Sequence, residues 1–110
     1  MGTLMKPLVF AFAALAAVLN PAHAAEPAGE AMAATCAGCH GTQGRLGTVE
    51  FVPLAGLSEE EFVRAMRDFK SGKRPATLMG VVANGFSESE VRSMARYFAG
   101  TKPNPANPAK

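Results

Sequence analysis

Ser58 and Ser87 each stand three residues ahead of a glutamate, Glu61 and Glu90, at the head of an apolar stripe of helical period. A serine hydroxyl that caps the N–H three residues on, with a glutamate reaching back, marks a helix start. After Ser58, the residues Phe62, Met66 and Phe69 recur at i, i+4 and i+7, and Lys70 with Gly72 closes the segment. After Ser87, the residues Val91, Met94, Ala95 and Phe98 share a face, and Gly100 ends it. Elsewhere glycine and proline interrupt the chain, which reads as irregular loop over GTQGRLGTVEFVPLAGL from 41 to 57 and as loop with one helical turn over KRPATLMGVVANGF from 73 to 86. No alternating strand pattern of useful length appears. The expectation is an all-α chain of three to four short helices, the first lying in the Ala-rich stretch from 25 to 34, joined by long loops. Such loops cannot close over an ordinary core in so short a chain, so they imply something large inside.

The chain is shorter than its 110 residues suggest. Lys6 supplies a positive start, Leu8 to Leu19 form an uninterrupted apolar run, and Ala22-His23-Ala24 offers small residues for cleavage. A twelve-residue apolar run spans about 18 Å as a helix, short of the ~30 Å hydrocarbon core, so it reads as a cleaved secretory leader over 1–24 rather than an anchor. Removal leaves 86 residues from Ala25, lowers the formal net charge from +2 to +1, and leaves His40 as the one histidine. The implied compartment is the oxidising periplasm of a bacterial cell, where so small a domain needs a disulfide, a metal or a prosthetic group. With 11 basic residues against 9 acidic, and no basic run longer than two, nucleic acid is not an expected partner. The 48% apolar content excludes a disordered chain.

Chemistry is concentrated in Cys36-Ala37-Gly38-Cys39-His40, the C-x-x-C-H signature of covalent haem attachment. Two thiols three apart suit the two vinyl groups on one porphyrin edge, and the following imidazole is then placed beneath the iron. Three other uses of the pair compete. A dithiol oxidoreductase needs a βαβ context that this pattern lacks. A structural zinc site needs four ligands, and the mature chain offers three from the Cys/His set. A plain disulfide would close a very small loop and leave His40 without a role.

Around this motif the chain resembles the small monohaem class I cytochromes c. The likeness runs through Cys36-Ala-Gly-Cys-His40-Gly-Thr, Pro53-Leu-Ala-Gly-Leu57, Phe69-Lys-Ser-Gly72, Thr77-Leu-Met-Gly80, Asn84-Gly-Phe-Ser-Glu-Ser-Glu90 and Met94-Ala-Arg-Tyr-Phe98, covering residues 30 to 99. Within that class it is most similar to the haem subunit of flavocytochrome c sulfide dehydrogenase and its free-standing single-haem relatives. The resemblance implies a cytochrome c domain over 25–100 wrapped around one haem c; beyond it, the three prolines of residues 101–110 mark a Pro-rich disordered tail. It implies thioether links at Cys36 and Cys39, His40 as proximal iron ligand and Met79 as distal ligand. It also implies that the Pro53 carbonyl accepts the Nδ1–H of His40, and it puts Arg45 near a haem propionate.

Elimination supports the distal assignment. A lysine ligand must first lose a proton, at about 1.4 kcal/mol for each unit of pKa above ambient pH. Met66 and Met94 fall at core spacing and Met32 on the attachment side, whereas Met79 sits in the loop between Pro75 and Gly80. With two protein ligands the iron has no position for a substrate, so the expected function is electron transfer rather than catalysis. The expected role is a periplasmic one-electron carrier serving redox protein partners, with no membrane span after leader removal. The alternative is the haem subunit of a sulfide dehydrogenase, fed by an exported flavoprotein. Phe51, Leu54, Leu57, Phe62, Met66, Leu78, Val81, Phe86 and Phe98 are the expected haem lining, and Lys70, Lys73 and Arg74 an expected docking patch for an acidic partner.

Overall fold

The computed structural model describes residues 28–48 and 50–109, so the expected leader and its cleavage point lie outside the described residues. Among the described residues the architecture is all-α. Its helices are α1 (Gly29–Ala33), α2 (Ala37–His40), α3 (Glu59–Ser71), α4 (Met79–Asn84) and α5 (Glu88–Gly100). A 3₁₀ turn at Ala34–Cys36 joins α1 to α2 without leaving right-handed helical dihedrals, so Gly29 to His40 is one winding stretch that tightens in the middle. Gly41, at φ 76 and ψ 166, ends it, and a second 3₁₀ turn follows at Thr42–Gly44.

The two long helices begin where their serines predict. At α5 the capping box is complete: Glu90 N–H donates to Ser87 Oγ at 3.3 Å, and Ser87 N–H donates to the Glu90 carboxylate at 2.7 Å. At α3 the Ser58 hydroxyl accepts from Glu61 N–H at 3.3 Å and donates to the Glu61 carboxylate at 2.7 Å. These bonds hold the Glu61 and Glu90 carboxyls below the usual range, through the Ser58 hydroxyl in the first case and the Ser87 backbone N–H in the second. Gly72, left-handed at φ 76, stops α3 as expected. Gly100 remains helical, and Thr101 is the cap, its hydroxyl donating to the Tyr97 carbonyl at 2.8 Å.

Helix α5 is the hub, packing on α1 and α3, and α3 also packs on α4. The approach of α1 is close enough that a Cβ on Gly29 would collide with the Ser93 carbonyl. Phe62, Met66, Val91, Met94, Ala95 and Phe98 form the middle of the core, with the Phe62 and Phe98 ring centroids 5.4 Å apart. Phe98 and Met94 are the largest side chains that are fully buried. The core extends to the loop side through Gly44. Its φ is +69, and a Cβ there would meet Phe98 Cε1 at 2.8 Å and Leu54 Cβ at 2.7 Å. Its carbonyl accepts from both Leu54 and Ala55 N–H, at 2.8 and 3.0 Å.

One expectation is corrected here. The tail described through residue 109 is not disordered but folded back on the loop. Arg45 Nε donates to the Lys102 carbonyl at 3.1 Å and Asn107 Nδ2 to the Gly47 carbonyl at 2.9 Å. Three prolines stiffen this segment, and an Asn104 turn closes it, with Ala106 N–H donating to Asn104 Oδ1 at 3.0 Å and Asn107 N–H to Asn104 O at 2.9 Å. Residues 73 to 86 hold the short helical segment expected among their breakers, α4 over 79 to 84. Packing supplies what propensity lacks: Ala83 is fully buried, and Gly80 brings the start of α4 near the Phe69 carbonyl.

Candidate functional site

Cys36, Cys39 and His40 lie at the end of the winding Gly29–His40 stretch. Cysteines three apart on a helical turn project to one side of it. Cys36 is half-buried against the core and Cys39 is exposed, and both are free thiols. Burial pushes the Cys36 thiol pKa up, partly opposed by the Thr35 hydroxyl. The Thr35 hydroxyl also ties back to the Met32 carbonyl at 2.7 Å, holding the tight turn that presents Cys36. No group of three or more His, Cys, Asp or Glu side chains is gathered for a metal ion among the described residues. Cys36, Cys39 and His40 therefore do not converge as the zinc reading requires.

His40 is 8% exposed and pinned on two sides. Its Nδ1 lies 2.7 Å from the Val52 carbonyl, and the Phe51 ring meets it edge-on at 6.0 Å between centroids. A carbonyl only accepts, so Nδ1 carries the proton and Nε2 is left with a free lone pair. No buried side-chain nitrogen or oxygen among the described residues lacks a hydrogen-bond partner, so the unpartnered Nε2 reaches the surface. The acceptor is a correction: it is Val52, not Pro53. The Pro53–Leu54 peptide gives its N–H to Gly44, which turns the Pro53 carbonyl away from that loop. The Val52–Pro53 peptide has no N–H, and its carbonyl is free to face the imidazole. Proline thus acts on the residue before it.

Met79 is the first residue of α4, partly buried against the core cluster. The expectation of a loop position is corrected, although Leu78 and Met79 still stand where the irregular segment from Gly72 turns into helix. Arg45 is exposed on the loop, and its Nε donates to the Lys102 carbonyl of the tail at 3.1 Å.

Side-chain exposure divides the expected lining. Leu54, Phe62, Met66 and Phe98 are ordinary core, buried among other protein atoms. Leu78 and Val81 instead are 65% and 77% exposed. Together with Leu46, Val52 and Val82 they are the large apolar side chains left in water among the described residues. All five fall in two segments: 46–52, which ends at the His40 acceptor, and 78–82, which brackets Met79. Leu46, Val52 and Val82 were not foreseen, since nothing in their spacing separates a solvent-facing valine from a core one.

The three expected docking cations have partners within the chain. Lys70 Nζ donates to the Phe86 carbonyl, Lys73 pairs loosely with Asp68 at 3.9 Å, and the Arg74 guanidinium lies 4.8 Å over the Phe69 ring. No helix of the described residues is long and apolar enough to cross a membrane. No protein-family model matches the sequence, and no curated protein is significantly similar to it.

Proposed function

We propose that this chain is exported, carries one haem c attached at Cys36 and Cys39, and passes single electrons between redox proteins in the periplasm. The observation that carries the reading is the placement of the exposed apolar side chains. Leu46 and Val52 stand beside His40, and Leu78, Val81 and Val82 stand around Met79. A large planar apolar group seated between an imidazole and a thioether would need such walls on its two sides. The donor set agrees with it: two free thiols, one imidazole nitrogen open to ligation, and one thioether.

Bound haem would supply a one-electron ferric–ferrous couple. The protein's part follows from its own residues. Cys36 and Cys39, both free thiols, would hold the group through thioether links. His40, whose Nδ1–H donates to the Val52 carbonyl, would present Nε2 as a ligand in an orientation fixed by that bond. Met79 would be the second ligand, an uncharged thioether that favours the ferrous form over what a second imidazole would give. The apolar side chains exclude water and penalise the extra positive charge of the ferric form. Such a protein has the fold of a class I cytochrome c, and its role is transfer rather than catalysis.

The test is expression with a c-type haem attachment system. The expected product is a coloured protein with the mass of residues 25–110 plus one haem, whose colour stays with the polypeptide in acid–acetone. Cys36→Ala or Cys39→Ala should sharply reduce it, and Met79→Ala should abolish the iron–sulfur charge-transfer band and allow carbon monoxide to bind. A colourless, zinc-bearing or merely disulfide-bonded product would overturn the proposal.

A further inference from the structure

The folded-back tail lies in contact with the loop that supplies the His40 acceptor. Gly47 lies close to both: a Cβ on it would be 3.1 Å from Pro53 Cδ and 3.2 Å from Asn107 Cγ. Asn107 therefore backs Gly47, Gly47 backs Pro53, and the peptide that Pro53 shares with Val52 carries the carbonyl 2.7 Å from His40 Nδ1. The tail grips this loop at three places. Asn107 donates to Gly47 O at 2.9 Å, Arg45 Nε donates to Lys102 O at 3.1 Å, and Pro103 lies 3.2 Å from where a Gly56 Cβ would be. Asn107 is itself presented by the closed Asn104 turn, so its amide is held in place before it bonds.

We infer that residues 101–109 are a strap that positions the Val52 carbonyl on His40, with Asn107 as the positioning residue. Around Val52 the loop's other bonds are local: Thr48 N–H donates to Phe51 O at 2.8 Å, and the Thr48 hydroxyl accepts from Glu50 and Phe51 N–H. Its remaining anchors lie to either side, Leu46 N–H on His40 O at 2.9 Å before it, and Leu54 and Ala55 N–H on Gly44 O after it. The role of the strap toward a ligand on Nε2 rests on the proposed function, but the geometry it sets at Nδ1 does not.

The experiment reads the imidazole directly. The full exported protein, as purified and reduced so that any iron is diamagnetic, is labelled with nitrogen-15, and solvent exchange of the His40 Nδ1 proton is measured. Three variants are compared with the parent: a chain ending at Thr101, Asn107→Asp, which keeps the shape but loses the donor, and Gly47→Ala, which drives a methyl against Asn107 and Pro53. The expected result is exchange about tenfold faster in the first two, with an intermediate effect in the third, the size set by one lost hydrogen bond. Backbone amides of α3 and α5 should keep their protection. Unchanged exchange in both the truncated chain and Asn107→Asp would overturn the inference. So would a uniform rise in exchange across α3 and α5, which would make the tail a general stabiliser. Because the Nδ1 proton is read with or without haem, a colourless product would refute the functional reading and leave this test intact.

Discussion

The pair α3 and α5 and the region built from residues 41–57 and 101–109 are held in different ways. Each long helix carries its own start signal, its own apolar face and its own stop within about fifteen residues, and all three signals agree. The loop and tail have no repeating hydrogen bonds. They are held by single bonds between residues 57 and 60 positions apart, Arg45 to Lys102 and Asn107 to Gly47. Such long-range closure must overcome chain entropy before any contact forms, which is why it depends on what the helices have already built. The His40 imidazole depends on the second region, since the residue ends α2 while its hydrogen-bond acceptor lies in the loop.

Phe98→Ala should break the comparison most severely, because Phe98 belongs to both regions. It is fully buried, packs on Phe62, and offers its carbonyl to Gly56 N–H at 2.8 Å. The expected loss is about 3–5 kcal/mol in denaturant unfolding, enough to unfold a small domain. Gly44→Ala should cost about 2–3 kcal/mol, combining a left-handed backbone at φ +69 with a methyl forced onto Phe98 and Leu54. Its signature is regional: loop amides should lose protection from hydrogen exchange before those of α3.

Ser87→Ala should cost about 1 kcal/mol and act on α5 alone, seen as fraying of its first turn. Acid should produce the smallest change. Glu61 and Glu90 have lowered pKa values in the folded chain, so the stability they add is present above the ordinary glutamate pKa of ~4.3 and fades as pH falls through the lowered value. Helical signal should therefore decline on the acid side of about pH 4. The double variant Glu61→Gln with Glu90→Gln should flatten that decline, and an unchanged acid limb would remove the caps from the account.

The tail shows why some of this was not legible in advance. Proline-rich ends with small residues are usually free, and composition offers no sign that Asn107 will find a carbonyl 60 residues away. The acceptor on His40 misled by a single residue for a related reason. Pro53 is visible in the sequence, but which of two neighbouring carbonyls faces the ring depends on how the Pro53–Leu54 peptide is turned by Gly44. The helical turn expected within 73–86 could not be placed on residues 79 to 84 in advance, because its start has no capping side chain and packing of Ala83 against the core carries it instead.

The helix starts at Ser58 and Ser87, the stop at Gly72, the buried faces of α3 and α5, and the grouping of two thiols with an imidazole were determined by the sequence alone. Each depends on residues within one or two helical turns, where backbone geometry converts spacing directly into direction. The proton position on His40, the exposure of Leu78, Val81 and Val82, and the return of the tail onto Gly47 were decided only by the tertiary structure. These depend on which distant groups come within a hydrogen bond of each other, and many different long-range closures are compatible with the same local signals.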